Sequence, residues 1–184
     1  MQYVFNSACL VLIGFILEAT GMSFAQMAAI YFGSSVGGIL FGAVCSSDLC
    51  VGCDVGYFGF TSALVAAVIV NWKALEPLGM CRLCLLLMMV GFFVLLVLFT
   101  VPSTLRTVGR PGWEYYNQYG HIGSFLCGLF LGLMFIRRAR AVGRVQEKSF
   151  EKICFMVGAG GVALFFGLMI TIWFTVANPF PYPY

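Results

Sequence analysis

The chain has 184 residues and a formal net charge of +3, and 61% of its residues are hydrophobic while only 9% are charged. A soluble domain carries about 25% charged residues, so this composition, with a mean hydropathy of +0.99, excludes a soluble globular protein. It predicts an all-α, polytopic membrane protein in direct contact with the lipid bilayer. The sequence has no basic face with interleaved aromatic residues and no phosphate-binding glycine loop, so we expect no nucleic-acid partner and no cofactor.

Six segments are predicted to cross the membrane, because each is free of charge and has close to the ~20 residues that a helix needs to span a bilayer. In chain order they are Met1–Leu17, Phe24–Val44, Val55–Trp72, Leu83–Val101, Tyr115–Ile136 and Ile153–Ala177. The first segment follows Met1 directly and has no positively charged region before it, so we expect no cleavable targeting signal.

The basic residues of the loops predict the orientation of these spans. When the loops are placed on alternate sides, eight basic residues share one side: Lys73, Arg82, Arg137, Arg138, Arg140, Arg144, Lys148 and Lys152. Only Arg106 and Arg110 lie on the other side. Loops rich in lysine and arginine stay on the inner side of a membrane, so both termini are predicted to lie on the outer side.

The run Arg137–Lys152 is interpreted as a stop signal with a solvated face; a lipid-headgroup or partner patch is the alternative. The membrane itself is either in the endomembrane system or the mitochondrial inner membrane.

The single histidine lies in a glycine-spaced apolar segment. On a helix, His121, Ser124, Gly128 and Gly132 share one face, and small residues on one face let a second helix approach closely. A titratable ring within the membrane is costly and normally faces the interior of the bundle, which makes His121 a candidate functional residue. The alternative is a structural polar contact near the membrane interface.

Four groups of residues occur in a particular order: Phe5-Asn6, then Leu17-Glu18 with Gly21, then Val55–Gly59 with Asn71-Trp72, then Gly120–Ser124 with Gly128 and Gly132. In this order they resemble the rhomboid family of intramembrane serine proteases and their inactive relatives. The first group is similar to the end of the family's His-x-x-x-Asn motif, and the second to the turn between its second and third helices. The third is similar to Gly-x-Ser-Gly, and the fourth to the sixth-helix His-x-Gly-Gly-x-x-x-Gly pattern.

The resemblance implies four parts of the chain: a rhomboid-like core (1–136, helices two to six), a basic inner loop (137–152), an additional helix (153–177) and a short outer tail (178–184). The first rhomboid helix and the loop after it have no counterpart in this sequence, either because the sequence begins downstream of them or because the protein has lost them.

Two departures concern catalysis. In rhomboid proteases the serine of Gly-x-Ser-Gly is the nucleophile and the sixth-helix histidine is its base; here these positions hold Phe58 and His121. A benzyl group has no nucleophilic atom, and covalent catalysis needs one near the base. Gln2 occupies the position of the upstream histidine, and Asn6, which is retained, is interpreted as a polar contact between helices. We therefore expect no catalytic residue and no enzymatic activity.

Phe58 is instead predicted to fill the former substrate cavity as a wedge between two helices. The resemblance places it between glycines of one helix and opposite His121 of another, and the predicted packing residues are Gly56, Gly59, Gly123, Ser124, Gly128 and Gly132. Ser62 lies one turn further along the helix, about 6 Å from Phe58, which is too far for a substitute nucleophile. We expect its hydroxyl to bond the carbonyl four residues earlier.

The spacing of the cysteines is typical of a zinc site, but the predicted topology excludes one. Two Cys-x-x-Cys pairs, Cys50/Cys53 and Cys81/Cys84, have the spacing of a four-thiolate site. They are predicted on opposite sides of a hydrocarbon core about 30 Å thick, so no metal site is expected. Cys45, Cys50 and Cys53 share one outer loop, where a disulfide is possible on an oxidising side. The remaining cysteines Cys9, Cys127 and Cys154 are interpreted as small buried hydrophobic residues.

Three classes of function are compatible with these features to different degrees. The leading hypothesis is an inactive rhomboid-like protein that binds transmembrane helices of other membrane proteins, either as clients or as an accessory subunit of a multisubunit complex. The alternative is a divergent intramembrane serine protease of the rhomboid family. A transporter or channel is disfavoured, because no span carries paired charges or a discontinuous helix.

The charge distribution generates a testable topology. Glycosylation or cysteine-accessibility tags at Ser47 and Pro111 are expected to report the outer side, and tags at Leu75 and Val142 the inner side. If Ser47 and Val142 report the same side, the number of spans is wrong.

Overall fold

The described residues of the computed structural model form five α-helices with defined ends: α1 (Gln2–Ala19), α2 (Phe24–Cys45), α3 (Asp54–Val70), α4 (Gln118–Phe135) and α5 (Lys148–Ile172). Helix α5 continues as a π-helical segment, Trp173–Ala177. The structure describes residues 2–45, 54–72, 118–136 and 148–177, together with residues 75, 79, 80, 83, 84, 86, 87, 89–91 and 94. No strand occurs in these ranges. The predicted all-α class is therefore confirmed.

The helices correspond to five of the six predicted spans, whereas most of the predicted span Leu83–Val101 lies outside the described residues. Every described position between 80 and 94 is helical. The clearest difference in bounds is at α5, which begins at Lys148 and has Glu151 in its first turn, five residues before the predicted span. Hydropathy marks where a helix enters lipid, while lysine and glutamate continue the helix into water because both are good helix formers.

Membrane crossing is supported by length and composition within the described ranges. Phe24–Cys45 and Ser149–Thr175 are long and apolar enough to span a bilayer, and Val55–Val70 and Tyr119–Phe135 are shorter apolar helices. Large apolar side chains are exposed on the outer faces, among them Phe15, Phe32 and Leu164. The chain is therefore a membrane protein whose outward faces suit lipid.

A tight turn joins α1 to α2. The amides of Thr20 and Gly21 donate to the carbonyls of Leu17 and Glu18, and Gly21 has φ +84°, a conformation that other residues rarely adopt. Ser23 then caps α2, because its amide donates to the Gln26 side chain at 2.9 Å and its hydroxyl accepts from the Gln26 amide at 3.4 Å. The predicted start of the second span at Phe24 follows this cap.

Helix α4 is the centre of the bundle, since it packs against α2, α3 and α5. Its early residues meet the end of α2 and the start of α3: a Cβ added at Gly38 would lie 2.5 Å from the Gly120 carbonyl oxygen and 2.9 Å from the Ser124 Cβ. Its last turns meet the opposite ends, with Gly33 near Leu131 and Gly132 near Ala63 and Ala66. Thus α3 runs parallel to α4, and α2 runs antiparallel to both.

Helix α5 crosses the outside of α4 through a second pair of glycines. A Cβ at Gly158 would lie 2.6 Å from the Phe130 carbonyl oxygen and 2.7 Å from the Met134 amide nitrogen, and one at Gly161 would meet the Phe130 ring. Further along, the Phe165 ring stacks on Phe41 of α2, with centroids 6.1 Å apart. The additional helix is therefore attached to the core at the seam between α2 and α4, antiparallel to α4.

This packing predicts opposite effects of the same substitution at two glycines. A Cβ at Gly128 would lie 2.5 Å from the Gly59 Cα and 2.5 Å from the Ser62 Oγ, whereas nothing lies within 4 Å of a Cβ at Gly160. Gly128→Ala is expected to lower the free energy of unfolding by about 1–3 kcal/mol, as overpacking does. Gly160→Ala is expected to be neutral or to stabilise by up to ~1 kcal/mol through helix propensity.

Thermal unfolding of the two purified variants in the same detergent measures this difference. Equal melting temperatures for Gly128→Ala and Gly160→Ala would contradict the close approach of α3 and α4.

Candidate functional site

Two aromatic rings from parallel helices are stacked where α3 and α4 approach each other. The rings of Phe58 and His121 have centroids 4.3 Å apart and planes inclined by 30°. Both side chains are buried, with exposed fractions of 7% for Phe58 and 6% for His121. The position predicted for a nucleophile and the position predicted for its base thus lie side by side, and the predicted wedge is in direct contact with the histidine.

A third ring extends this cluster. Tyr57 contacts Phe58 edge to face, with centroids 5.7 Å apart and an interplanar angle of 74°, and it is also buried. Edge-to-face and offset stacked rings are the favourable arrangements of aromatic quadrupoles. The stacked pair of Phe58 and His121 therefore has a third buried ring against Phe58.

The first turn of α3 is also tied to α4 by a hydrogen bond. The hydroxyl of Ser124, one turn after His121, donates to the carbonyl oxygen of Val55, three residues before Phe58. Ser124 is fully buried. Because a hydroxyl has one proton to donate, this bond engages the Ser124 donor and holds α3 and α4 in register next to the stacked rings.

Next to the stacked rings, three helices meet at a junction formed by Ser34 of α2, Gly59 of α3, and Ser124 and Gly128 of α4. A Cβ at Gly59 would collide with the Ser34 side chain and lie 3.2 Å from the Ser124 Oγ. A Cβ at Gly128 would collide with the backbone of Gly59. Any side chain larger than hydrogen at the two glycines of this three-helix junction would push the helices apart.

The predicted packing residues lie at more than one interface. Gly128 and Gly132 of α4 lie against α3, and Gly59 and Ser124 lie where α2, α3 and α4 meet. Gly56 lies instead against α2, where a Cβ would be 2.5 Å from the Tyr31 ring and 2.6 Å from the Ser35 Oγ. Gly123 faces Phe41, also on α2. Successive residues of a helix are rotated by about 100°, so Gly123 does not share the face of Ser124, its neighbour in the sequence.

The small residues of α2 contribute to these interfaces, which was not predicted from the sequence. Gly33, Ser34, Gly37 and Gly38 all face other helices; a Cβ at Gly37, for example, would lie 2.8 Å from the Cys127 Sγ. The signal was present in the spacing, because Gly33 and Gly37, like Ser34 and Gly38, are small residues four apart. This is the small-xxx-small pattern of membrane helix interfaces.

Ser62 is buried deeper in the bundle than the rings, and its hydroxyl is engaged locally. It donates to the Gly59 carbonyl at 2.8 Å, so the predicted bond to the carbonyl four residues earlier is wrong by one residue. Helical serine has both the third and the fourth preceding carbonyl within reach. In this chain Thr61 uses the fourth, from its Oγ1 to the Tyr57 oxygen at 3.1 Å.

The upstream motif residues Gln2 and Asn6 belong to α1, but their side chains lie outside the described part of the structure, so their roles stay predictions. The same holds for a disulfide in the outer loop, because Cys50 and Cys53 are outside the described residues; Cys45 is exposed and unbridged to any described cysteine. Cys127 and Cys154 are buried, and Cys127 contacts the Gly33 carbonyl at 3.5 Å.

No group of three or more histidine, cysteine, aspartate or glutamate residues converges within the described residues. The only histidine of the sequence is covered on one face by the Phe58 ring. What the site presents chemically is a stack of aromatic groups and a set of hydroxyls bonded to backbone carbonyls.

The sequence matches a known protein family. The rhomboid domain matches residues 1–138, which includes α1 to α4 and the stacked pair and leaves α5 outside. No curated protein and no solved structure matches the sequence. Since the matched region is most of the sequence and contains the motifs that resemble those of rhomboid proteases, the chain belongs to the rhomboid family.

Proposed function

We propose that this rhomboid-like membrane protein is catalytically inactive and binds or scaffolds other membrane proteins through their transmembrane helices. The observation that carries the proposal is the buried stack of Phe58 on His121, with ring centroids 4.3 Å apart. Acyl transfer needs a nucleophilic atom within hydrogen-bond reach of the base. A phenyl ring supplies none, and it occupies the space that a scissile carbonyl would need.

The buried hydroxyls nearby do not replace the missing nucleophile. Ser62 lies beside Gly128, which is seven residues and therefore about 10 Å along the axis from His121. Ser124 is closer, but its proton is donated to the Val55 carbonyl, and it is packed against Gly38 and Gly59. These placements support the proposal, because covalent catalysis requires a nucleophile held in near-attack geometry.

What the bundle retains is a set of outward faces for helix binding. Phe15 on α1, Phe32 on α2 and Phe155 on α5 are all more than half exposed. Binding of a transmembrane helix needs van der Waals complementarity and polar contacts on such faces and does not need a nucleophile. Both forms of the proposal, a binder of client helices and an accessory subunit of a multisubunit complex, use these faces.

The proposal includes a multi-pass topology of about six spans. The parallel course of α3 and α4 supports it, because two parallel helices that both cross a membrane require a return crossing between them. The described helical positions between 80 and 94 are apolar, and Met80, Leu87 and Val94 among them are exposed, as expected for such a crossing. The membrane is proposed to be in the endomembrane system or the mitochondrial inner membrane.

The first test measures whether the protein has any proteolytic activity. The purified protein is expected neither to cleave a transmembrane substrate of active rhomboid proteases nor to react with a fluorophosphonate probe, because Phe58 has no nucleophilic atom. An active rhomboid protease treated in parallel is the positive control. Labelling that disappears in Ser62→Ala or Ser124→Ala would overturn the proposal in favour of a divergent protease.

The second test concerns the stacked ring. Phe58→Ser is expected to lower the free energy of unfolding by about 3–5 kcal/mol, the usual effect of removing a large buried ring, and Phe58→Leu by much less. Phe32→Ser is the matched control, since the Phe32 ring is 67% exposed. Thermal unfolding in detergent measures all three variants.

Phe58→Ser is also expected not to restore proteolysis, because Gln2 stands at the position of the upstream histidine. If Phe58→Ser and Phe32→Ser are equally stable, the ring is not a packing element. If Phe58→Ser cleaves substrate, the scaffold is an enzyme that lacks a single functional group.

The third test addresses binding. A photoreactive phenylalanine analogue, placed singly at Phe15, Phe32 or Phe155 and irradiated in native membranes, is expected to give discrete adducts with another membrane protein from at least one position. The same analogue at buried Phe58 is the control and is expected to give none. If all three exposed positions give only lipid adducts, the protein does not bind partner helices on these faces.

A further inference from the structure

We draw no further inference here: the strongest candidate, the outward face of α5 on which Gly160, Gly167 and Thr171 form a line of small residues, carries nothing because no part of the described structure shows what covers it.

Discussion

Association of helices inside a bilayer gains little from the hydrophobic effect, because a lipid tail is as apolar as a leucine side chain. Stability must come from short distances between backbones, over which many weak dispersion contacts add up. This requirement explains the contacts of α4. Gly128 lies on Gly59, Gly38 lies on Gly120, and Gly158 lies on the backbone of Phe130. These glycines let the helix backbones approach closely, and the stacked rings lie beside one of the close approaches, that of α3 and α4.

The polar groups of the interior follow a second constraint, which is that no water is at hand to satisfy them. Ser34 donates to the Tyr31 carbonyl, Ser62 to the Gly59 carbonyl and Asn71 to the Ala67 carbonyl. These bonds stay within one helix, whereas Ser124 donates across an interface to the Val55 carbonyl and the Cys127 thiol donates across another to the Gly33 carbonyl. The buried serine hydroxyls therefore donate their protons to backbone carbonyl oxygens. The proposed loss of catalysis is consistent with that arrangement.

The pairing of α3 with α4 was predicted from the rhomboid resemblance, which placed Phe58 of one helix opposite His121 of the other, and the small residues on both helices agreed with it. The all-α class and the family were predicted correctly for related reasons, since charge depletion and motif order depend little on detail. Three features were beyond the sequence. The choice of carbonyl by Ser62 is decided by local geometry, and the faces of Gly56 and Gly123 are decided by which neighbour α2 presents. The start of α5 at Lys148 lies outside the apolar segment, so hydropathy does not mark it.

The parallel arrangement of α3 and α4 has a consequence for biogenesis. During synthesis α2 and α3 enter the membrane early and can pair through Gly56 and Tyr31, but the surface around Gly37 and Gly38 needs α4 to cover it. Helix α4 begins only at Gln118, so at ~5–20 residues per second the half-built bundle waits on the order of seconds with that surface against lipid. The Gly37–Gly38 surface of α2 therefore lacks its α4 neighbour for the whole interval between synthesis of α3 and synthesis of α4.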